Sequence, residues 1–279
     1  MTKVFFHIGL HKTGTTWLQN QFFSRLDGVK VLHTRHLGRV IVPAGSSTTL
    51  IVSHAGLSGT LSNEPPGNNQ LLTDNLRLIA EFVADTAIII GFREHASWLH
   101  AAYSNKAKKT WGMSPKNYVQ VFSFDDLSWC KKLDTIEQFS AAVFPFFYEE
   151  LLWNPHALVD DLCKFLGKAP PANLDQLLKI RENSSPRTQV GQFVSRALYA
   201  LSAASRRQLF KPQCGPLGAR FDRFFSIKPI ALKPEMARAL QQDWNDLLQL
   251  IGQHRRRDFS SLAPKDVLHE ADLHCGHGP

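Results

Sequence analysis

Residues 4–19 read VFFHIGLHKTGTTWLQ, and this stretch decides the fold. Residues 4–8 form an apolar run of the kind that a buried strand requires. Gly9 and Gly14 then bracket a short turn, and the pattern predicts an amphipathic helix over about residues 15–26. A buried strand that turns directly into a helix is typical of the opening unit of an α/β fold.

The rest of the chain continues the alternation of strands and helices. Apolar and β-branched runs predict further strands at residues 29–32, 49–52, 87–92 and 143–148. Helical periodicity or helix-ending signals predict helices at residues 71–83, 96–108, 155–166 and 234–251. The predicted fold class is α/β: a three-layer, P-loop-like parallel sheet with helices on both faces and a mostly helical C-terminal part. We expect one domain over residues 1–260 and a flexible tail over 261–279.

The net positive charge of the chain favours an anionic partner. Lys and Arg outnumber Asp and Glu by 32 to 24 in the 279 residues, which gives a net charge of +8. The basic residues are scattered except at 255–257, and they are not interleaved with aromatic residues. The sequence therefore predicts no nucleic-acid platform, and a nucleotide or an acidic glycan is the better match.

The cysteines and the apolar runs bear on the compartment. Four cysteines without CxxC spacing suit a reducing environment. The chain shows no signal peptide and no apolar run of about 18 residues, so no membrane span is expected. These features together predict a cytoplasmic protein.

The turn over residues 9–14 has the composition of an anion site. A strand–turn–helix directs several backbone N–H groups at one small volume. Lys12 adds a positive charge, and the hydroxyls of Thr13, Thr15 and Thr16 can donate further hydrogen bonds. In the nucleotide P-loop, GxxxxGK[ST], the lysine follows the second glycine, whereas here Lys12 precedes Gly14. The order therefore disfavours a Mg²⁺-dependent kinase.

Lys12-Thr13-Gly14-Thr15-Thr16 resembles the 5′-phosphosulfate-binding loop of sulfotransferases, which has the order Lys-[Ser/Thr]-Gly-[Ser/Thr]-Thr after the first strand. The resemblance implies that the chain binds 3′-phosphoadenosine 5′-phosphosulfate (PAPS), with 3′-phosphoadenosine 5′-phosphate (PAP) as the product and no metal. It implies that this loop, together with the adjoining His11, holds the 5′-phosphate. Lys12 would also stabilise the leaving group.

The strand at residues 87–92 and its following residue fit the same family. There, an apolar strand ends in an arginine that binds the 3′-phosphate, and Arg93 matches it. A serine usually follows eight positions later, but Ala101 occupies that position. Ser97 and Ser104 are the candidates to replace it.

Two later segments also resemble the family. Residues 146–152 and 165–167, FFYEELL and FLG, are similar to a strand, turn and helix that we interpret as mainly structural. Residues 181–185, RENSS, resemble an "N-x-S" segment that would place Arg187 near a phosphate; a plain helix cap and turn is an equal alternative.

The general base is the point at which the sequence departs from the family. Related bacterial enzymes have the pattern S-[S/H]-E-x-L after a strand, with the glutamate as candidate base. Alignment on Ser53 and Leu57 places Ala55 at the glutamate position. Three alternatives stay open: His54 is the base, another residue is, or the chain is a variant that lacks its glutamate. His11 and His33 are weaker candidates.

The function expected from the resemblance is therefore sulfuryl transfer from PAPS to a hydroxyl or amine of an acceptor, a glycan or a small metabolite. Two alternatives remain. One is a P-loop nucleotide kinase or other phosphotransferase. The other is a non-catalytic nucleotide- or glycan-binding module of the same fold, which the alanine at position 55 keeps open.

Overall fold

The computed structural model describes residues 3–34, 48–61, 68–82, 86–109, 114–180 and 230–262. These residues build one parallel sheet of five strands in the order β2-β3-β1-β4-β5. The strands are β1 (Lys3–His7), β2 (Val29–Leu32), β3 (Thr49–Ser53), β4 (Ala87–Phe92) and β5 (Ala142–Phe147).

Helices cover both faces of the sheet. The first begins as α1 (Thr15–Trp17) and continues without a break through a π-helical segment (Leu18–Phe22) and a 3-10 turn (Phe23–Arg25). The others are α2 (Asn68–Phe82), α3 (His95–Lys109), α4 (Pro115–Val119), α5 (Phe124–Leu127), α6 (Trp129–Glu137), α7 (Glu150–Trp153), α8 (Pro155–Leu166), α9 (Leu174–Leu178) and α10 (Pro234–Arg255). Short 3-10 turns also occupy Ala55–Ser58 and Ser260–Leu262.

Alternate strand residues enter two separate cores, which produces the three layers. Phe6 and Ile88 point into a core shared with α2, α3, α6 and α10. Their neighbours Phe5 and Ile89 point into the opposite core, with the helix after β1 and with α8. Because both faces of β3 and β4 are buried, these strands carry continuous apolar runs, whereas the edge strand β2 carries the exposed Lys30.

The predicted fold class is confirmed. The predicted strands and helices within the described ranges are present, with ends shifted by at most a few residues. The predicted helical character of the C-terminal part is seen in α10; residues 181–229 and the expected tail beyond 262 lie outside the described residues. Among the residues that the structure describes, no helix is both long and apolar enough to cross a membrane.

Candidate functional site

The loops that follow β1, β3, β4 and β5 meet at the carboxyl edge of the sheet. His7 and Ser53 are in register at the ends of β1 and β3, and the His54 N–H donates to the His7 carbonyl at 3.0 Å. On the other side, the Tyr148 N–H donates to the Phe92 carbonyl at 2.8 Å. In doubly wound folds this edge is where ligands bind, beside the strand at which the order reverses. Here that strand is β1.

The loop between β1 and α1 is held in an unusual backbone conformation. Lys12 has a φ of 71° and Gly14 a φ of 83°. A positive φ is uncommon for a residue with a Cβ, and such strain is found at functional loops. A Cβ on Gly14 would lie 2.5 Å from Leu151 Cδ1, so Leu151 would have to shift, and the positive φ of Gly14 independently favours glycine.

The three threonines of the loop have different surroundings. The Thr13 side chain is fully buried and donates to the Leu10 carbonyl at 2.5 Å. In this structure its hydroxyl therefore braces the loop, so its predicted contact with a ligand would require it to leave the Leu10 carbonyl. Thr15 is buried, and its Oγ1 has no hydrogen-bond partner among the described residues. Thr16 is half-buried.

Arg93 joins the end of β4 to the loop between β1 and α1. Its Nη1 donates to the Lys12 carbonyl at 3.1 Å, and its Nε donates to Ser97 Oγ at 2.8 Å. The guanidinium lies 4.5 Å from the centre of the Tyr148 ring, which gives it a cation–π contact. Burial lowers the pKa of Arg93, and Tyr148, Glu149 and Glu94 oppose that fall. The structure thus brings Arg93 and Lys12, 81 positions apart, into one site.

The two serine candidates lie in different environments. Ser97 is in the first turn of α3 and contacts Arg93 directly. Ser104 lies two turns further along α3 and is only 1% exposed. In this conformation Ser104 offers no surface on which a phosphate could bind.

Two tryptophans support the same loops, and sequence reasoning missed both. Trp98 Nε1 donates to the His11 carbonyl at 2.7 Å, and Trp129 Nε1 donates to the Arg93 carbonyl at 2.8 Å. Buried indoles almost always need such an acceptor. Tryptophans on the helices after β4 were therefore a usable signal, but nothing in the sequence names their partners.

Glu149 lies behind Arg93 and is nearly buried. Its Oε1 accepts the Glu94 N–H at 3.2 Å, while its Oε2 has no partner within the described ranges. Burial raises the pKa of Glu149 to about 7, although backbone donors and the Arg93 charge oppose the rise. Its neighbour Glu150 is instead bound by Arg255 at 2.6 Å and has a structural role between α7 and α10.

The segment after β3 lies directly beside the loop between β1 and α1. Ser58 Oγ is 3.3 Å from the Gly9 carbonyl, to which it donates. His54 caps the 3-10 turn, since its Nδ1 accepts the Gly56 N–H at 2.9 Å. A neutral imidazole that accepts at Nδ1 carries its proton on Nε2. In this tautomer His54 can donate a hydrogen bond through Nε2–H. It could accept a proton only at Nδ1, which would break the hydrogen bond from the Gly56 N–H.

Ala55 is the first residue of that 3-10 turn and is half-buried.

Lys132 of α6 is a further residue near the site that sequence reasoning did not select. It lines a narrow cleft together with His11 of the loop between β1 and α1. Burial lowers the pKa of Lys132 to about 8, and its ammonium donates to the Asp126 carbonyl at 2.8 Å and to Asn69.

Other sequence candidates are not part of this cluster. His33 follows the edge strand β2, which β3 separates from β1. Arg187 and residues 181–185 lie outside the described residues. Within the described ranges, no group of three His, Cys, Asp or Glu side chains could hold a metal ion.

Neither a family model nor a curated protein matches the chain. Several solved structures match the chain. A sulfotransferase from Alicyclobacillus acidocaldarius is 12% identical, with 94% of this chain and 98% of that chain covered and a TM-score of 0.50. The chain has the fold of this sulfotransferase.

Two further structures align less closely. A mouse sulfotransferase complexed with PAP is 12% identical, with 91% of this chain and 87% of that chain covered and a TM-score of 0.46. A sulfotransferase domain from the curacin biosynthetic pathway is 14% identical, with 87% and 97% covered and a TM-score of 0.44.

Proposed function

We propose that this protein is a PAPS-dependent sulfotransferase that transfers the sulfuryl group to a hydroxyl or amine of a glycan or small metabolite. One observation carries the proposal: the contact of Arg93 Nη1 with the Lys12 carbonyl. The contact supports the proposal because it brings the Arg93 guanidinium, at the end of β4, against the strand–turn–helix loop that carries Lys12. A nucleotide with both a 5′- and a 3′-phosphate matches this pair of anion sites.

The transfer would proceed by in-line displacement at sulfur. The bond from sulfur to the phosphate oxygen breaks, the bond from sulfur to the acceptor oxygen or nitrogen forms, and the acceptor proton passes to a base. Lys12 would offset the charge that develops on the departing phosphate oxygen, and the loop N–H groups would hold the 5′-phosphate. The protein contributes mainly positioning and electrostatics, since the donor substrate is already activated.

The cofactor-binding residues divide by role. Lys12, Gly14, Thr15 and Thr16 would contact the 5′-phosphate, and Thr13 would hold the loop in shape. Arg93 would bind the 3′-phosphate with help from Ser97, which already contacts it. His11 would contribute its backbone, whose carbonyl Trp98 fixes.

The acceptor side has no carboxylate in the position of the expected base. Ala55 occupies it, and the Nδ1 of His54 is committed to the Gly56 N–H. Of the three alternatives, this geometry favours a missing base over His54. We therefore propose that the chain as it stands binds its nucleotide well and turns over slowly. A cytoplasmic location is part of the proposal and is supported by the cysteine content alone.

Calorimetry tests the proposed cofactor. PAP should bind without added metal, and turnover of PAPS with a panel of acceptors should be detectable above the rate in buffer. Binding of ATP with Mg²⁺ at equal or greater strength than PAP would establish the kinase alternative instead. PAP binding with no PAPS turnover on any acceptor would favour the non-catalytic module.

A further inference from the structure

His7, the last residue of β1, is a fully buried histidine beneath the phosphate loop. Its Nδ1 lies 2.7 Å from Ser53 Oγ, and its ring packs edge-on against Phe23 with a centroid separation of 5.2 Å. Burial lowers the pKa of His7 to about 3. The imidazole is therefore neutral at any pH at which the protein would be assayed, and it has one N–H and one lone pair.

The hydrogen bonds around Ser53 fix which nitrogen carries the proton. Gln19 Nε2 is 3.1 Å from the Ser53 carbonyl, which can only accept, so the amide nitrogen of Gln19 must face Ser53. The same nitrogen donates to Ser53 Oγ at 2.8 Å. The Ser53 hydroxyl proton then has the His7 Nδ1 lone pair as its acceptor among the described residues. It follows that His7 carries its proton on Nε2.

That Nε2–H has no partner, and neither does a hydroxyl close to it. His7 Nε2 and Thr15 Oγ1 are both buried polar atoms without a hydrogen bond in the described part of the chain. They flank the same glycine, because a Cβ on Gly9 would lie 3.0 Å from His7 Nε2 and 3.2 Å from Thr15 Oγ1. Buried polar groups are rarely left unsatisfied, and a pair of them at a proposed ligand loop calls for a function.

We propose that His7 is a positioning residue that donates its Nε2–H to Thr15 Oγ1 when the nucleotide is bound, so that the hydroxyl proton of Thr15 is directed at the 5′-phosphate. The proposal rests on the proposed function, which supplies the phosphate. It orders four side chains into one chain of donors that runs from Gln19 through Ser53 and His7 to Thr15.

The physical gain is that the hydroxyl proton of Thr15 is directed at the anion. A hydroxyl has one proton and two lone pairs, so its proton can rotate toward any nearby acceptor. Once a lone pair of Thr15 accepts from His7, the proton is free for the anion. Hydrogen bonds in such a chain polarise one another, and a bond to a charged group gains most from this.

The first test measures the tautomer in the nucleotide-free chain. Side-chain ¹⁵N NMR should show His7 as the Nε2–H tautomer, unchanged between pH 5 and pH 8. An Nδ1–H tautomer, or an imidazolium in that range, would overturn the donor chain. This readout does not depend on whether the protein binds PAP.

The second test compares two unbranched replacements, His7→Gln and His7→Met. Gln restores an N–H near the Nε2 position, whereas Met fills the same space without a donor. PAP should bind about tenfold more weakly to His7→Met and less than about threefold more weakly to His7→Gln, since a hydrogen bond to a charged group is at stake. Equal affinities for the two folded variants would overturn the proposal.

A double-mutant cycle then separates a role through Thr15 from a general loosening of the loop. Thr15→Val alone and Thr15→Val with His7→Met should have about the same PAP affinity, because the second change has nothing left to act on. Losses that simply multiply would overturn the proposal. If the His7 variants do not fold, Ser53→Ala serves instead: it should release the Nδ1–H tautomer and weaken PAP about threefold or more, and retention of both properties would count against the donor chain.

The two levels of the proposal fail differently. Absence of PAP binding by the unmodified chain would overturn the proposed function and the phosphate end of the donor chain with it. An Nδ1–H tautomer in a chain that binds PAP normally would overturn the role of His7 alone.

Discussion

The two sides of the sheet edge are built very differently. On the side proposed to bind the nucleotide, two side chains from distant elements brace the loop, Arg93 on the Lys12 carbonyl and Trp98 on the His11 carbonyl, and Thr13 braces it locally on the Leu10 carbonyl. On the proposed acceptor side, His54 bonds within its own turn, to the Gly56 N–H. Ser58 lies 2.9 Å from the Ala55 carbonyl of the turn and 3.3 Å from the Gly9 carbonyl. The difference supports the proposal of a site that binds an anion but lacks a positioned group to activate an acceptor.

The strongest test of the nucleotide side is Lys12→Met, which removes the charge and keeps most of the length. Turnover of PAPS should fall by about 10²–10³, the usual cost of losing one group that stabilises developing negative charge. Steady-state kinetics with calorimetry of PAP will separate this effect from binding. Lys30→Met is the matched control, since Lys30 is exposed on β2, the outermost strand on that side of the sheet. Unchanged turnover in Lys12→Met would remove Lys12 from the reaction.

Replacement of Arg93 tests whether the proposed nucleotide side has separate positions for the 5′-phosphate and the 3′-phosphate. Arg93→Ala should weaken PAP by about 1.5–3 kcal/mol, the range for a charge-assisted hydrogen bond. Because Arg93 also holds the Lys12 carbonyl, adenosine 5′-phosphosulfate, which has no 3′-phosphate, should lose a smaller part of its affinity. Calorimetry with both ligands measures the difference. Equal losses would mean that Arg93 only supports the loop.

The fold was predictable because its signals are local. The run at residues 87–92 and the helix ended by Gly167 need no knowledge of distant contacts, and both are present with the predicted limits. Glycine at position 167 has a φ of 66°, the left-handed conformation expected just after a helix. The position of Arg93 at the end of a buried strand was likewise a local signal.

The site was predictable only in part, because its support comes from far along the chain. Thr13 looks like a ligand donor in the sequence, and only the structure shows its hydroxyl turned onto Leu10. Ser97 and Ser104 are equivalent by spacing along the helix, and only the structure separates them, through the contact of Ser97 with Arg93 and the burial of Ser104. The roles of Trp98 and Trp129 depend on pairs 87 and 36 positions apart, which no spacing rule reveals.

The proposed acceptor side can be tested by introducing a carboxylate at position 55, where the expected general base is absent. Ala55→Glu should raise PAPS turnover by at least about tenfold, because a positioned general base contributes about 10²–10⁴ in rate. PAP affinity should change little, since the phosphate loop and Arg93 are untouched. Ala55→Gln is the matched control, with the same size and hydrogen-bonding capacity but no basicity. An equal gain in both variants would point to packing instead of proton transfer.

His54→Ala tests the alternative in which His54 is the general base. With its Nδ1 committed to Gly56, His54 should contribute to stability as a cap, about 0.5–2 kcal/mol by denaturant unfolding, and little to turnover. Loss of a substantial existing activity in His54→Ala would identify it as the base. Ala55→Glu would then be neutral or harmful.

The smallest expected effect concerns Glu149. This residue lies on the side proposed to bind the nucleotide, where a negative carboxylate would oppose the binding of a phosphate. Its pKa of about 7 means that the carboxyl group becomes charged as the pH rises through neutrality. Arg93, Glu94 and Tyr148 are the titratable groups that adjoin it, and Arg93 is the one that a 3′-phosphate would also use. A charged Glu149 therefore competes with the ligand for Arg93, so deprotonation weakens binding. Between pH 6 and pH 8, PAP affinity of the unmodified chain should fall by about twofold to fivefold relative to Glu149→Gln, the scale of a single charge interaction near a surface. The comparison at each pH cancels the titration of the ligand phosphates, which is common to both proteins. Parallel pH curves would show that Glu149 stays in one protonation state over this range, and its titration would then play no part in PAP binding.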